Sequence, residues 1–228
     1  MPECVWSDLG TVGYAAALER QRALVERRQR GEIPDQLLLL EHPHVITMGR
    51  NAKPQNLLAG EEHLRRAGVS LHATDRGGDV TYHGPGQLVG YPILDLREWK
   101  RDVVAYVRAL ESVLIGALGE LGIAAGRAGG MTGVWAGEAK IAAIGVRVSR
   151  WVSSHGFALN YVTDLKYFQY IVPCGLAGRP VTSIAALVGA DPGRERVIDA
   201  VVAHFGRVFG RHMIPAAAAE PCGIGVRE

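Results

Sequence analysis

Residues 102–121, DVVAYVRALESVLIGALGEL, decide how the rest of the chain must be arranged. Val103, Tyr106, Val107, Leu110, Val113, Leu114, Ala117, Leu118 and Leu121 recur every three or four positions, which predicts a helix with one continuous apolar side ending at Gly122. Such a side must be covered, and short β-type runs lie both before and after it. Before it come 36–41, dominated by leucine, then 45–49, 69–74 and 87–94. After it come 134–136 and 140–148, joined by the turn pair Gly137-Glu138, and 152–159. Strands grouped around one long helix predict a single α+β domain, a mixed and largely antiparallel sheet flanked by helices, not a strict βαβ alternation.

The flanking segments fill in this frame. Runs 36–41 and 45–49 read as two buried strands of one sheet, interrupted at His42-Pro43-His44. Residues 14–30 read as a helix whose Arg20, Arg22, Arg27 and Arg28 form a solvated basic face, and 61–67, 164–170 and 192–209 read as further helices. Gly126, Gly129 and Gly130 suggest a flexible bridge over 124–131, and no pattern is legible after Met213. Residues 1–213 are therefore expected to form the domain and 214–228 a tail.

The chain has 228 residues and 48% hydrophobic content, enough for a sizeable core, while a net charge of +2 argues against a strongly electrostatic nucleic-acid binder. Three cysteines, Cys4, Cys174 and Cys222, show no paired spacing and fit a reducing compartment. The first residues carry no secretory pattern, and no apolar run approaches the roughly 20 residues that span a bilayer. A soluble cytoplasmic protein with no membrane or nucleic-acid partner is the expectation.

Chemistry concentrates in three places. Cys174, flanked by Pro173 and Gly175, is a candidate nucleophile, but a free thiol with a pKa of about 8.5 is only slightly ionised at neutral pH and needs a nearby cation or base. Lys140 is the candidate cation, one of four lysines against twenty-one arginines, in an otherwise apolar strand. His83 and His155 are rival activators. The run 76–87, RGGDVTYHGPGQ, supplies glycines that let a ligand lie against the backbone. It is no familiar phosphate loop: GxxxxGK[ST] is absent, and Val89 occupies the place of the third glycine of GxGxxG. His42 and His44 beside Glu41 lack further ligands and read as structural, so no metal is expected. Cys4 and Cys222 read as inert.

Taken in order, RGGDVTYHGPGQ at 76–87, Gly133-Val134-Trp135, KIAAIG at 140–145, HGFALN at 155–160 and Pro173-Cys174-Gly175 resemble the lipoyl(octanoyl) transferases, also called lipoate-protein ligase B. The resemblance runs from about His42 to Ile184. It implies a fold similar to that of the biotin and lipoate protein ligases. It also implies an enzyme that moves an octanoyl group from acyl carrier protein to a lysine of lipoyl domains, in 2-oxoacid dehydrogenases and the glycine cleavage H protein, without a cofactor. By position, Cys174 corresponds to the family's thioester-forming nucleophile and Lys140 to the lysine that activates it. Arg76, Gly77, Gly78, Asp79, Val80, Thr81, Tyr82 and His83, then Ala143, Ile144 and Gly145, then Gly156, Phe157 and Ala158, match the segments lining the family's acyl site. Val80, Ile144 and Phe157 would supply an apolar wall, and burying about six methylenes there would contribute roughly 5 kcal/mol. Arg147, Arg150 and Arg179 would form a basic entrance for an acidic carrier. The competing readings are an ATP-dependent lipoate ligase, a Cys-His hydrolase using His83 or His155, and a non-catalytic acyl carrier.

Overall fold

The computed structural model describes residues 1–173 and 178–216. The long helix, α3, spans Val103–Glu120. Asp102 caps its start, accepting a hydrogen bond from the Ala105 N–H at 2.9 Å. Its end is turned by Gly122 at φ 81°, where the Ile123 N–H returns to the Leu118 carbonyl. The apolar side packs on a second helix, α5 (Arg194–Phe209), and on one face of an eight-stranded sheet, joining the largest core through Tyr106, Leu110, Val113, Leu114 and Phe205.

The strands are β1 (Glu3–Thr11), β2 (Asp35–Glu41), β3 (Val45–Met48), β4 (Ser70–Ala73), β5 (Val80–His83), β6 (Gln87–Ile93), β7 (Gly126–Ala128), β8 (Met131–Ala136), β9 (Ala139–Ser149), β10 (Val152–Asn160) and β11 (His212–Pro215). The large sheet runs β11-β1-β2-β6-β10-β9-β8-β7, and a separate small sheet runs β4-β3-β5. In the large sheet β1 pairs parallel with β11 and β2, and every other neighbour is antiparallel. This is the expected single-domain α+β fold with a mixed, mainly antiparallel sheet flanked by helices. The remaining helices are α1 (Tyr14–Gln29), α2 (Glu61–Arg66) and α4 (Ile184–Val188), with a 3-10 turn at Leu165–Tyr170.

Four local expectations change. The runs on either side of His42-Pro43-His44 enter different sheets, because the proline break carries the chain from the edge of β2 across to β3. Arg28 does not belong to a solvated face: it is 5% exposed, with Nε donating to Asp35 at 2.9 Å and a second nitrogen donating to Glu98 at 2.6 Å. The glycines of 124–131 form a hairpin instead of a loose bridge, with Gly130 at φ 73° turning β7 into β8. Where no pattern is legible after Met213, the last described strand continues to Pro215, and β11 extends the sheet beside β1. Among the described residues no helix is long and apolar enough to cross a membrane.

The small sheet stands over the face of the large sheet opposite α3. Its outer side, with Ile46, Leu64, Val80, Tyr82, Phe168 and Ile171, forms a second core. A narrow space remains between the two sheets.

Candidate active site

One wall of that space is made by β6, β10 and β9, whose register sets Val89, Ala158 and Ala143 side by side and pairs Gly156 with Gly145. Small residues here leave room that larger side chains would fill. Gly145 also allows the loop before β5 to approach: an added Cβ would lie 2.8 Å from the Gly77 carbonyl oxygen. The Gly77 N–H is in turn bonded to the Val146 carbonyl at 2.9 Å, so this loop is pinned on β9.

The opposite wall follows from the two-residue period of β5. Val80 and Tyr82 enter the second core, leaving Thr81 and His83 to face the slot. Val80, expected on the acyl wall, is thus buried away from it, and Tyr82 turns its hydroxyl to His44 at 2.7 Å. Arg76, Gly78, Asp79, Thr81, His83, Ala143, Ile144, Gly145, Gly156, Phe157 and Ala158 all border one slot. Gly77 serves the wall from behind through its bond to β9. Ile144 and Phe157 border the slot while packing with the α3 core, the Phe157 ring lying over Gly90.

The polar groups in the slot are tied to neighbouring side chains and backbone. Arg76, 7% exposed, donates to the Thr47 hydroxyl at 2.9 Å and carbonyl at 2.7 Å and to the Gly77 carbonyl at 3.0 Å. Asp79 braces the segment 53–56, accepting from the Lys53 N–H and from the Asn56 amide at 2.5 Å. His83 is buried, and burial lowers its pKa to about 3, so its ring is neutral at physiological pH. Its Nδ1 pairs with the Gln87 amide oxygen at 2.7 Å, and the Gln87 amide nitrogen donates to Asn160 at 2.9 Å. Asn160 donates onward to the Thr182 carbonyl at 3.0 Å, while the Thr182 N–H donates to the Lys140 carbonyl at 2.9 Å.

That chain leads to Lys140, at the start of β9. The residue is 7% exposed and its Nζ stands 5.5 Å from the centre of the Trp135 ring. Gly133, at φ 121°, makes room for it: a Cβ there would lie 2.6 Å from Lys140 Cε. Lys140 lines a cavity with Gln87, Asn160, Phe168, Pro173 and Val181, and this cavity shares Thr81, Ala143 and Ala158 with the slot. Lysine cavity and slot are therefore neighbours, with these three residues lining both. Cys174 and Gly175 lie outside the described residues, as does Cys222; Cys4 is a buried thiol in the main core whose pKa burial pushes well up.

His155 and Lys140 do not meet. His155 pairs with Val146, six positions along β9 from Lys140, a separation of roughly 20 Å at strand rise. The three arginines expected at one entrance also divide. Arg147 and Arg150 border a surface cleft near His155, whereas Arg179 adjoins Pro180, whose carbonyl accepts the Lys140 N–H at 2.9 Å. His42 and His44 turn to different partners, Tyr91 and Tyr82. Gln87, Asn160, Val89, Tyr91 and Tyr14 join the cavities without having been assigned a site role from sequence. The first two stood inside the quoted motifs. Tyr14 is brought in by α1, and only sheet packing reveals it.

A model of the lipoyl protein ligase A/B catalytic domain matches residues 13–206. An octanoyltransferase of Solibacter usitatus is 61% identical over 96% of this chain and 98% of its own length, and one of Koribacter versatilis is 53% identical over 91% and 84%. Among solved structures, a bipartite lipoate protein ligase of Thermoplasma acidophilum, studied with its E2 lipoyl domain, superposes with a TM-score of 0.73 at 18% identity, covering 96% of this chain and 89% of that one. The chain belongs to the lipoyl protein ligase A/B catalytic-domain family. Within it, the chain is an acyltransferase enzyme.

Proposed function

We propose that this enzyme carries an octanoyl group from acyl carrier protein to the lysine amine of a lipoyl domain, holding it meanwhile as a thioester on Cys174. The octanoyltransferase name of its relatives supports the acyl group, and the lipoyl domain studied with the distant archaeal ligase supports the acceptor class. One observation carries the reading: a buried lysine, Lys140, shares its cavity with Pro173, the residue that precedes Cys174, and that cavity adjoins a slot walled by alanine and glycine.

In the first step the Cys174 thiolate adds to the carrier's thioester carbonyl, and the pantetheine sulfur leaves and takes up the proton of the Lys140 ammonium, which leaves Lys140 neutral. In the second, the acceptor amine adds to the new thioester, forms the amide and releases Cys174 as a thiolate. One thioester is exchanged for another and then for a more stable amide, so ATP is not needed. Lowering a thiol pKa from about 8.5 to 7 takes about 2 kcal/mol. A lysine at about 4 Å, at an effective dielectric of about 20, supplies up to about 4 kcal/mol before desolvation is subtracted. Once Cys174 is acylated its negative charge is gone, and Lys140 then accepts the proton of the incoming amine. Arg76, Gly78, Thr81 and His83 border the acyl chain from the small sheet and Ala143, Gly145, Gly156 and Ala158 from the large one. The reaction is assigned to the cytoplasm, where thiols stay reduced.

Intact-mass measurement after mixing the enzyme with octanoyl-carrier protein alone tests this. A hydroxylamine-labile octanoyl adduct that vanishes in Cys174→Ser supports transfer. Labelling only with free acid plus ATP would establish a ligase instead, and steady release of free octanoate without an acceptor would establish a hydrolase. Lys140→Met is expected to slow both half-reactions, most at lower pH.

A further inference from the structure

We infer that His155, held by Asp75 and Arg147, is the floor of the acyl slot and sets the longest acyl chain the enzyme accepts. This deepens the reading above, since it takes the slot to be the acyl site. The slot lies between two other spaces. At one end it shares Thr81, Ala143 and Ala158 with the Lys140 cavity, and at the other it shares His155 with an open surface cleft of about 640 Å³. His155 stands between the slot and that open cleft, lining both.

The backbone explains why His155 stands there. The β10–β6 register runs through Phe157–Gly90 and through the bridge of Val152 with Asp95, which sets His155 opposite Pro92. Proline has no N–H to give the ladder, and His155 leaves it, taking φ 54° and donating its own N–H to the Gln21 side chain at 2.7 Å. The ring, 2% exposed in the residue as a whole, borders the slot and donates from Nε2 to Asp75 at 2.8 Å. Asp75 is gripped from the cleft side by Arg147. Burial lowers the His155 pKa despite Asp75, so the face it offers the slot is neutral, with the charged pair behind it.

The dimensions suit a medium-length chain. From Ala143, shared with the lysine cavity, to Val146, the register partner of His155, β9 advances roughly 10 Å. An extended chain gains about 1.2 Å per bond, so an octanoyl group beginning near Ala143 reaches about 8 Å and a dodecanoyl group about 13 Å. The shorter chain ends before the imidazole. The longer one has to push it off Asp75 and bring an apolar end against an ion pair.

The test compares octanoyl-, decanoyl- and dodecanoyl-carrier proteins as donors to a lipoyl domain, reading kcat/KM for each by intact mass in the native enzyme, His155→Ala and Asp75→Ala. The dodecanoyl-to-octanoyl ratio is expected to rise at least about tenfold in His155→Ala, as several methylenes enter the opened cleft, and to rise less in Asp75→Ala. An unchanged ratio in a folded His155→Ala overturns the inference. Should that variant not fold, Asp75→Ala, at a partly exposed position, decides by the same ratio. If the native enzyme transfers no octanoyl group, the functional reading fails on its own. Calorimetric binding of C8, C10 and C12 fatty acids to the native protein and to the variants then still measures the floor, a length preference indifferent to both substitutions overturning it.

Discussion

Gly133 shows how closely one residue can be bound to the buried Lys140. Its φ of 121° is a conformation side chains rarely adopt, and a methyl group there would sit 2.6 Å from Lys140 Cε and 2.7 Å from the Ala142 carbonyl oxygen. Gly133→Ala is therefore expected to destabilise the fold by about 1–3 kcal/mol and to displace Lys140. Urea unfolding reads the first effect, and the rate of Cys174 acylation reads the second. A variant with native stability and native acylation would show that Lys140 does not depend on this gap. The lysine itself was legible in the sequence because it is rare and stands in an apolar run. Its glycine support was not, since the contact crosses from β8 to β9 and depends on where the two strands meet.

At the scale of elements, α3 was legible almost to the residue because amphipathic periodicity is a local property. Asp102 starts it by capping, and Asp102→Ala is expected to lower stability, measured by chemical denaturation. Within the sheet, Gly90 lies beneath the Phe157 ring, so near that a Cβ would fall 2.1 Å from the ring edge. Gly90→Ala should cost about 1–3 kcal/mol by overpacking, and Gly90→Ala combined with Phe157→Leu should recover part of that loss in the same assay. Strands β1, β7 and β11 escaped the sequence reading. β7 and β11 are short, and β1 has only Cys4 fully buried, so alternation of apolar and polar residues, the usual mark of a half-buried strand, is weak in them.

For the whole molecule, Asp35 ties distant parts together. It accepts from Arg28 of α1 at 2.9 Å, from the Asp95 N–H at 2.9 Å and from Arg211 at 2.8 Å, with Asp35 itself 1% exposed. Asp35→Ala takes the carboxylate from the buried Arg211 and leaves Arg28 to Glu98 and Asp95, and is expected to cost about 3–5 kcal/mol in unfolding experiments. Buried histidines set the response of the fold to acid. Burial lowers His42 to about 4 and His83 to about 3, whereas the unfolded chain binds those protons near 6.5. Stability should be full above about pH 6.5 and decline as pH falls toward 4, with a slope approaching about 1.4 kcal/mol per unit for each histidine. Urea midpoints measured from pH 7.5 to 5 check this, and a flat profile would contradict it.

From its residues alone the chain determined its α+β class, the apolar stripe of α3, the order of motifs that resemble one enzyme family, and the prominence of Lys140. All of these are encoded by neighbours in sequence, through helical and strand periods or fixed spacing. Only the tertiary structure decided that Thr81 and His83 face the slot while Val80 and Tyr82 do not. It alone turned Arg28 inward to Asp35 and put His155 at the opposite end of β9 from Lys140. Those outcomes depend on which faces meet and in what register, and register arises from pairings between segments far apart in the chain.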